Sequence, residues 1–96
     1  MVELKDTVAL MTSADYKERF QAEYYQLETR FIKLKTMCDK WDKGELDFTP
    51  TCDRVLYKNQ LGYMFMYLNI LITRAKIEDV KINVSPIVET FYAKQQ

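Results

Sequence analysis

The 96-residue sequence contains no histidine. That removes the commonest general base and the nucleophile–base pairs built on imidazole. Only two cysteines occur, Cys38 and Cys52. A closed zinc site takes about four ligands, so no metal is expected. The chain opens Met1-Val2-Glu3-Leu4-Lys5-Asp6, with charges where a secretory leader needs an apolar core. With so few cysteines, this fits a reducing, cytoplasmic setting. No uninterrupted apolar run reaches the roughly 18 residues of a membrane span. The longest, Tyr63 to Ile72, is broken by Asn69, so no membrane partner is expected. Neither charge is in excess, with 14 basic residues against 14 acidic ones. An extended nucleic-acid surface shows as a basic excess, so no DNA partner is expected. A small anionic ligand needs only a few cations and stays open.

What the sequence does have is apolar side chains, 48% of the total. A chain this short makes one domain, 1–96, and buries a modest share of its surface. So rich an apolar supply points to burial between subunits.

The stretch from Tyr16 to Trp41 sets the architecture. Phe20, Tyr24, Leu27, Phe31, Leu34, Cys38 and Trp41 recur at steps of four and three. That is the seam of a helix packed lengthwise on another helix, with no two-residue alternation for a strand. Thr12 and Ser13, with Asp15 following, read as the cap of a first long helix over 14–43. Gly44 reads as its C′ residue. Leu46 and Phe48 are expected to pin the connection. Thr49-Pro50-Thr51 reads as the start of a second long helix, over 51–78. Its seam is Tyr57, Leu61, Met64, Leu68, Leu71 and Ala75. Tyr63, Phe65, Met66, Tyr67, Ile70 and Ile72 lie outside that seam. One partner helix cannot cover so wide a surface, so other subunits are expected to. Gly62 marks either a bend or a close helix approach.

Residues 1–12 read as an arm, either a short helix or a segment lying on a neighbour. Val80 to Val84 alternates as an extended connector. Ser85-Pro86 opens a short third helix over 85–95, which must dock in cis or on another subunit. The fold class is all-α: an antiparallel hairpin of two long helices plus a short C-terminal helix, assembling into a homo-oligomer.

Catalysis finds little support. Asp39, Asp42, Glu45 and Asp47 gather near the hairpin turn, as a solvated helix end does. Cys38 lies on the seam, and Cys52 has no base. The polar face Tyr16, Arg19, Glu23, Arg30 and Lys33 is more informative. Tyrosine stacks on rings, arginine clamps phosphate with two bonds, and lysine acts as a point charge. Antiparallel copies would bring Tyr16 of one near Arg30 of the other. Spacing alone favours intrahelical salt bridges and surface caps.

The pattern Tyr16-x-x-Arg19-Phe20-x-x-Glu23-x-x-x-Leu27-x-x-Arg30-x-x-Lys33-Leu34 resembles the first helix of a family of small phage proteins. These are the anti-CBASS cyclic-oligonucleotide sponges, small crAss-like-phage-related proteins. Leu56, Gln60-Leu61, Met64, Tyr67-Leu68, Leu71 and Arg74 resemble that family's closing helix. The resemblance covers about Tyr16 to Ile77. It implies a non-enzymatic homo-oligomer, typically a hexamer, in the host bacterial cytoplasm. Such proteins bind cyclic dinucleotides, and in some cases cyclic trinucleotides, and so keep an immune effector inactive. It implies ligand contacts from Tyr16 and Arg19, with Arg30 or Lys33 as the basic residue. Arg74 is either part of a second site or the ion-pair partner of Glu78. The rival readings are a helical protein-binding or structural module, and a messenger-cleaving phosphodiesterase. No cofactor is expected.

Overall fold

The computed structural model describes residues 2–95; Met1 and Gln96, the ends of the expected 1–96 span, lie outside the described residues. The described chain is helical throughout its regular elements. A 3-10 turn over Leu4–Thr7 runs into α1, Val8–Met11. Two long helices follow, α2 over Tyr16–Asp42 and α3 over Arg54–Glu78, and α4 covers Pro86–Gln95.

The helix ends show which local signals win. Asp15, rather than Thr12 or Ser13, caps α2: its carboxylate accepts the Lys17 N–H at 2.9 Å. Ser13 serves one step earlier, its hydroxyl accepting the Asp15 N–H and donating to Glu18. The helix therefore starts later than the 14–43 expected. At the other end Gly44 takes φ +72°, the left-handed value that glycine adopts without steric penalty. Its N–H bonds the Trp41 carbonyl at 3.0 Å, and the Glu45 N–H bonds that of Lys40 at 2.8 Å. These two returning bonds close the helix.

The second long helix starts at Arg54, not near Thr51. Pro50 lies in the connection, and Asp53 is the extended cap residue. Arg54 then reaches back to Asp42 through Nε and Nη2, at 3.0 and 3.1 Å. That clamp fixes the mouth of the hairpin. Leu46 is half-buried in the connection, but Phe48 is exposed and does not pin it.

The core lies along the α2–α3 seam. Phe20, Tyr24, Phe31 and Cys38 from α2 meet Leu61, Leu68, Leu71 and Ala75 from α3. Full burial of one such large side chain stabilises by about 1.5–3 kcal/mol, so these few residues carry the hairpin. The N-terminal segment docks in cis. Gln26 of α2 donates to the buried Thr7 hydroxyl at 2.9 Å, and the Thr29 hydroxyl donates to the Val2 carbonyl.

The connector after α3 is laid along α2 by one polar stripe. Gln21 bonds the Lys81 carbonyl at 2.8 Å, the Tyr25 hydroxyl accepts the Asn83 N–H at 2.9 Å, and Glu28 accepts the Ser85 N–H at 2.9 Å. Val80 is buried while Ile82 and Val84 are half-buried, so the alternation does turn apolar side chains inward. The connector delivers α4 onto the hairpin. Val88 is buried there, and Phe91 packs edge-on against Phe31 at 5.3 Å and Phe65 at 4.7 Å. Phe65 is therefore covered by this chain's own α4, and Ile72 is half-buried. Other subunits are not needed for either. Tyr63, Met66, Tyr67 and Ile70 stay exposed.

Candidate functional site

The antiparallel hairpin puts the start of α2 beside the end of α3. Asp79 ends α3 in the left-handed region at φ 57°, and the Lys17 ammonium donates to its carbonyl at 3.0 Å. Beside that closure, three side chains form a closed set. Arg74 Nε bonds Glu78 at 2.8 Å, Arg74 Nη2 bonds the Tyr16 hydroxyl at 2.7 Å, and that hydroxyl donates to Glu78 at 2.8 Å. The guanidinium carbon of Arg74 also lies 5.0 Å from the Phe20 ring centroid, within cation–π range. Phe20 is thus both a core residue and the shelf under the cation.

The cluster is coupled electrically. The Arg74 guanidinium, then the Tyr16 hydroxyl, holds the Glu78 carboxyl below the usual carboxylate range. The bond to Glu78 pushes the Tyr16 phenol above its ordinary value, with desolvation adding to it. At neutral pH Tyr16 is therefore a neutral hydrogen-bond donor, not a phenolate nucleophile. Arg74 is held as a cation by the Glu78 bond. The set joins a guanidinium, already paired with a carboxylate, to a half-exposed aromatic ring. No atom in it is poised to attack a bond.

A second rung follows two turns along. Tyr67 donates to Glu23, and that bond raises the Tyr67 phenol. Tyr16 and Glu23 thus each meet a partner on α3.

The structure brings Tyr16 and Arg74 together. The ion pair of Arg74 with Glu78 that their spacing allows is present, and it is part of the same cluster. Arg19 turns away to donate to the Ser13 carbonyl at 2.8 Å, where it braces the turn before α2. Arg30 is exposed and about 21 Å along the helix from Tyr16, from a rise of about 1.5 Å per residue. Lys33 lies further along, at the rim of a shallow cavity of about 360 Å³ that also involves Lys40 and Phe48. Within one chain, neither basic residue reaches Tyr16. Lys17 and Glu78 escaped the site assignment made from sequence. Their roles depend on the hairpin register, although Glu78 was visible as the fourth residue after Arg74.

Residues 14–77, about two thirds of the chain, match the model of the Sequestin family. The chain belongs to that family. Its name denotes a sequestering protein, a binding role rather than turnover. No curated protein and no solved structure matches the chain. Among the described residues, no helix is long and apolar enough to cross a membrane.

Proposed function

We propose that this protein captures a phosphate-linked nucleotide messenger, a cyclic di- or trinucleotide, and withholds it without cleaving it. In a phage-infected host cytoplasm this would block CBASS-type defence. The observation that carries the reading is the Tyr16–Arg74–Glu78 cluster. It pairs a ring for stacking with a guanidinium for phosphate at one exposed edge of a rigid hairpin. The phosphate exchanges for the Glu78 carboxylate on Arg74, and Tyr16 stacks on the base. Membership of a sequestering family supports the same reading.

The assembly belongs to this proposal. The outward face of α3 repeats Leu56, Tyr63, Met66, Ile70 and Ile77, all more than half exposed. These fall on one helical stripe beside the cluster. Identical copies packed there, in a hexamer or a smaller ring, would bring Arg30 and Lys33 of one subunit toward Tyr16 of another. The pocket would then be shared between subunits.

The test is recovery of intact ligand. The purified protein is incubated with cyclic mono-, di- and trinucleotides and with pyrophosphate-linked dinucleotides. It is then heat-denatured, and the released compound is assayed by mass. Stoichiometric capture with unchanged mass is expected. Degraded compound, or no capture across the panel, would sink the proposal. The uncovered α3 stripe also favours a second reading, a module that docks a helix of another protein. A chain that stays monomeric and ignores every nucleotide would favour that one.

A further inference from the structure

At the other end of the hairpin, α2, α3 and α4 enclose a groove of about 660 Å³. That is within the usual range for a small-molecule site. Its walls carry Lys35, Arg54 and Lys58 against one carboxylate, Asp39. Asp39 already accepts from Lys35 at 2.8 Å. Arg54 gives Nε and Nη2 to Asp42, while its third nitrogen, Nη1, is buried without a hydrogen-bond partner. A buried charged donor with no acceptor is rare, because its lost hydration goes unreturned. Lys58 is exposed and forms no ion pair with any described residue. Two aromatic faces flank these cations. Tyr63 of α3 is 73% exposed, and Phe91 of α4 is half-buried.

We infer that this groove is a separate binding site for a phosphomonoester on a planar ring, such as a mononucleotide. Arg54 and Lys58 take the phosphate oxygens, and the ring lies against Tyr63 and Phe91. Phosphate geometry suits a guanidinium with one unpartnered nitrogen and a mobile ammonium beside it. The core packing has no use for Lys58 or Tyr63, and the Tyr16 cluster lies at the opposite end of the helices. The inference is therefore independent of the Tyr16 cluster, but not of the proposed assembly, since Tyr63 also lies on the α3 stripe where copies would pack.

The chain supplies its own reporter. Trp41 is the only tryptophan, and the Arg54 guanidinium carbon lies 6.0 Å from its ring centroid. The full chain is titrated with inorganic phosphate, ribose 5-phosphate and adenosine 5′-monophosphate at fixed ionic strength, following Trp41 fluorescence. A saturable change is expected with all three. Adenosine 5′-monophosphate should bind about tenfold more tightly than ribose 5-phosphate, because base stacking is added. Lys58→Glu should weaken the nucleotide by about tenfold or more, and Tyr16→Ala should leave it unchanged. The site is overturned by no saturable change up to millimolar ligand, or by wild-type affinity in Lys58→Glu. It is equally overturned if Tyr16→Ala abolishes the signal, which would place the phosphate at the other end.

Discussion

Two tyrosines of α2, each bonded to a glutamate, meet opposite fates. The Tyr24 hydroxyl donates to Glu28 at 2.6 Å, and both residues are buried. The Tyr16 hydroxyl donates to Glu78 at 2.8 Å, with Tyr16 48% exposed. The chemistry is shared and the surroundings differ. In the buried pair the carboxylate also accepts the Ser85 N–H, so the connector and α4 hang from it. The Tyr24–Glu28 bond is sealed from water, and the pair is a strut. In the exposed pair water or a ligand can replace each bond, so the arginine between them is available for exchange. Burial thus sets how freely each tyrosine–glutamate bond can be exchanged.

The strongest way to break this comparison is to remove the buried carboxylate. Glu28→Ala leaves the Tyr24 hydroxyl and the Ser85 N–H without an acceptor. The expected loss is about 3 kcal/mol of stability, since each unmet buried group costs about 1–3 kcal/mol. Urea unfolding at fixed protein concentration measures it. The α4 amides should lose hydrogen-exchange protection first. A loss under about 1 kcal/mol would mean the strut carries nothing.

The exposed pair should respond in affinity instead. Arg74→Ala and Tyr16→Ala are each expected to weaken messenger binding about tenfold or more, with the unfolding midpoint nearly unchanged. Glu78→Gln should do the reverse. It removes the carboxylate that competes for Arg74 and should tighten binding a few-fold, by the same charge-assisted exchange. Calorimetric titration reads all three. Equal affinity across the set would separate the cluster from the ligand.

Alkaline pH sharpens the contrast. Desolvation first, and the bond to Glu28 second, push the Tyr24 phenol far above its ordinary value. The folded state therefore keeps the proton where the unfolded chain releases it, near pH 10. The stabilisation is fully present below that pH and is lost as pH rises past it. Tyr24→Phe is less stable than wild type at pH 7, having lost one buried hydrogen bond worth about 1 kcal/mol. It should lose less as pH climbs, since phenylalanine has no proton to release. Each pH unit above 10 shifts the difference by about 1.4 kcal/mol in favour of the variant, so the order should reverse by about pH 11. A gap that stays constant to pH 11.5 would mean that Tyr24 is not sealed.

The same contrast explains what the sequence could tell. The three-and-four steps from Phe20 to Trp41, and those from Leu61 to Ala75, mark the faces that do meet. Local periodicity reports burial along a seam directly. Helix starts were harder. Ser13 and Asp15 both offer cap oxygens, and Pro50 and Asp53 both offer a start, so the choice falls to packing and to the Arg54–Asp42 clamp. Covering Phe65 by α4 needs contact between residues far apart in the chain, which no local pattern encodes. For the site, Tyr16 and Arg74 were each legible as single residues. Their union in one cluster waits on the hairpin register. The partnership of Glu28 with Ser85 had no signal at all, because a glutamate on a helix ordinarily faces water.

The smallest effect discriminates most finely between a sealed and an open surface. Gly62 lies inside α3, where alanine is favoured over glycine by about 1 kcal/mol. Among the described residues nothing packs against it closely enough to require glycine. A Cβ built there meets no heavy atom within 4 Å, and the backbone has no left-handed angle to preserve. Of the two expectations for this residue, close approach is therefore not to another part of the same chain. Gly62→Ala should stabilise the dilute protein by up to about 1 kcal/mol. If copies meet through the Tyr63–Met66 face, the added methyl stands between backbones and the sign reverses as concentration rises. Unfolding midpoints at two protein concentrations, paired with sedimentation, read both terms. Stabilisation that is independent of concentration, with assembly unchanged, would exclude Gly62 from any subunit contact and leave the outer stripe of α3 open there.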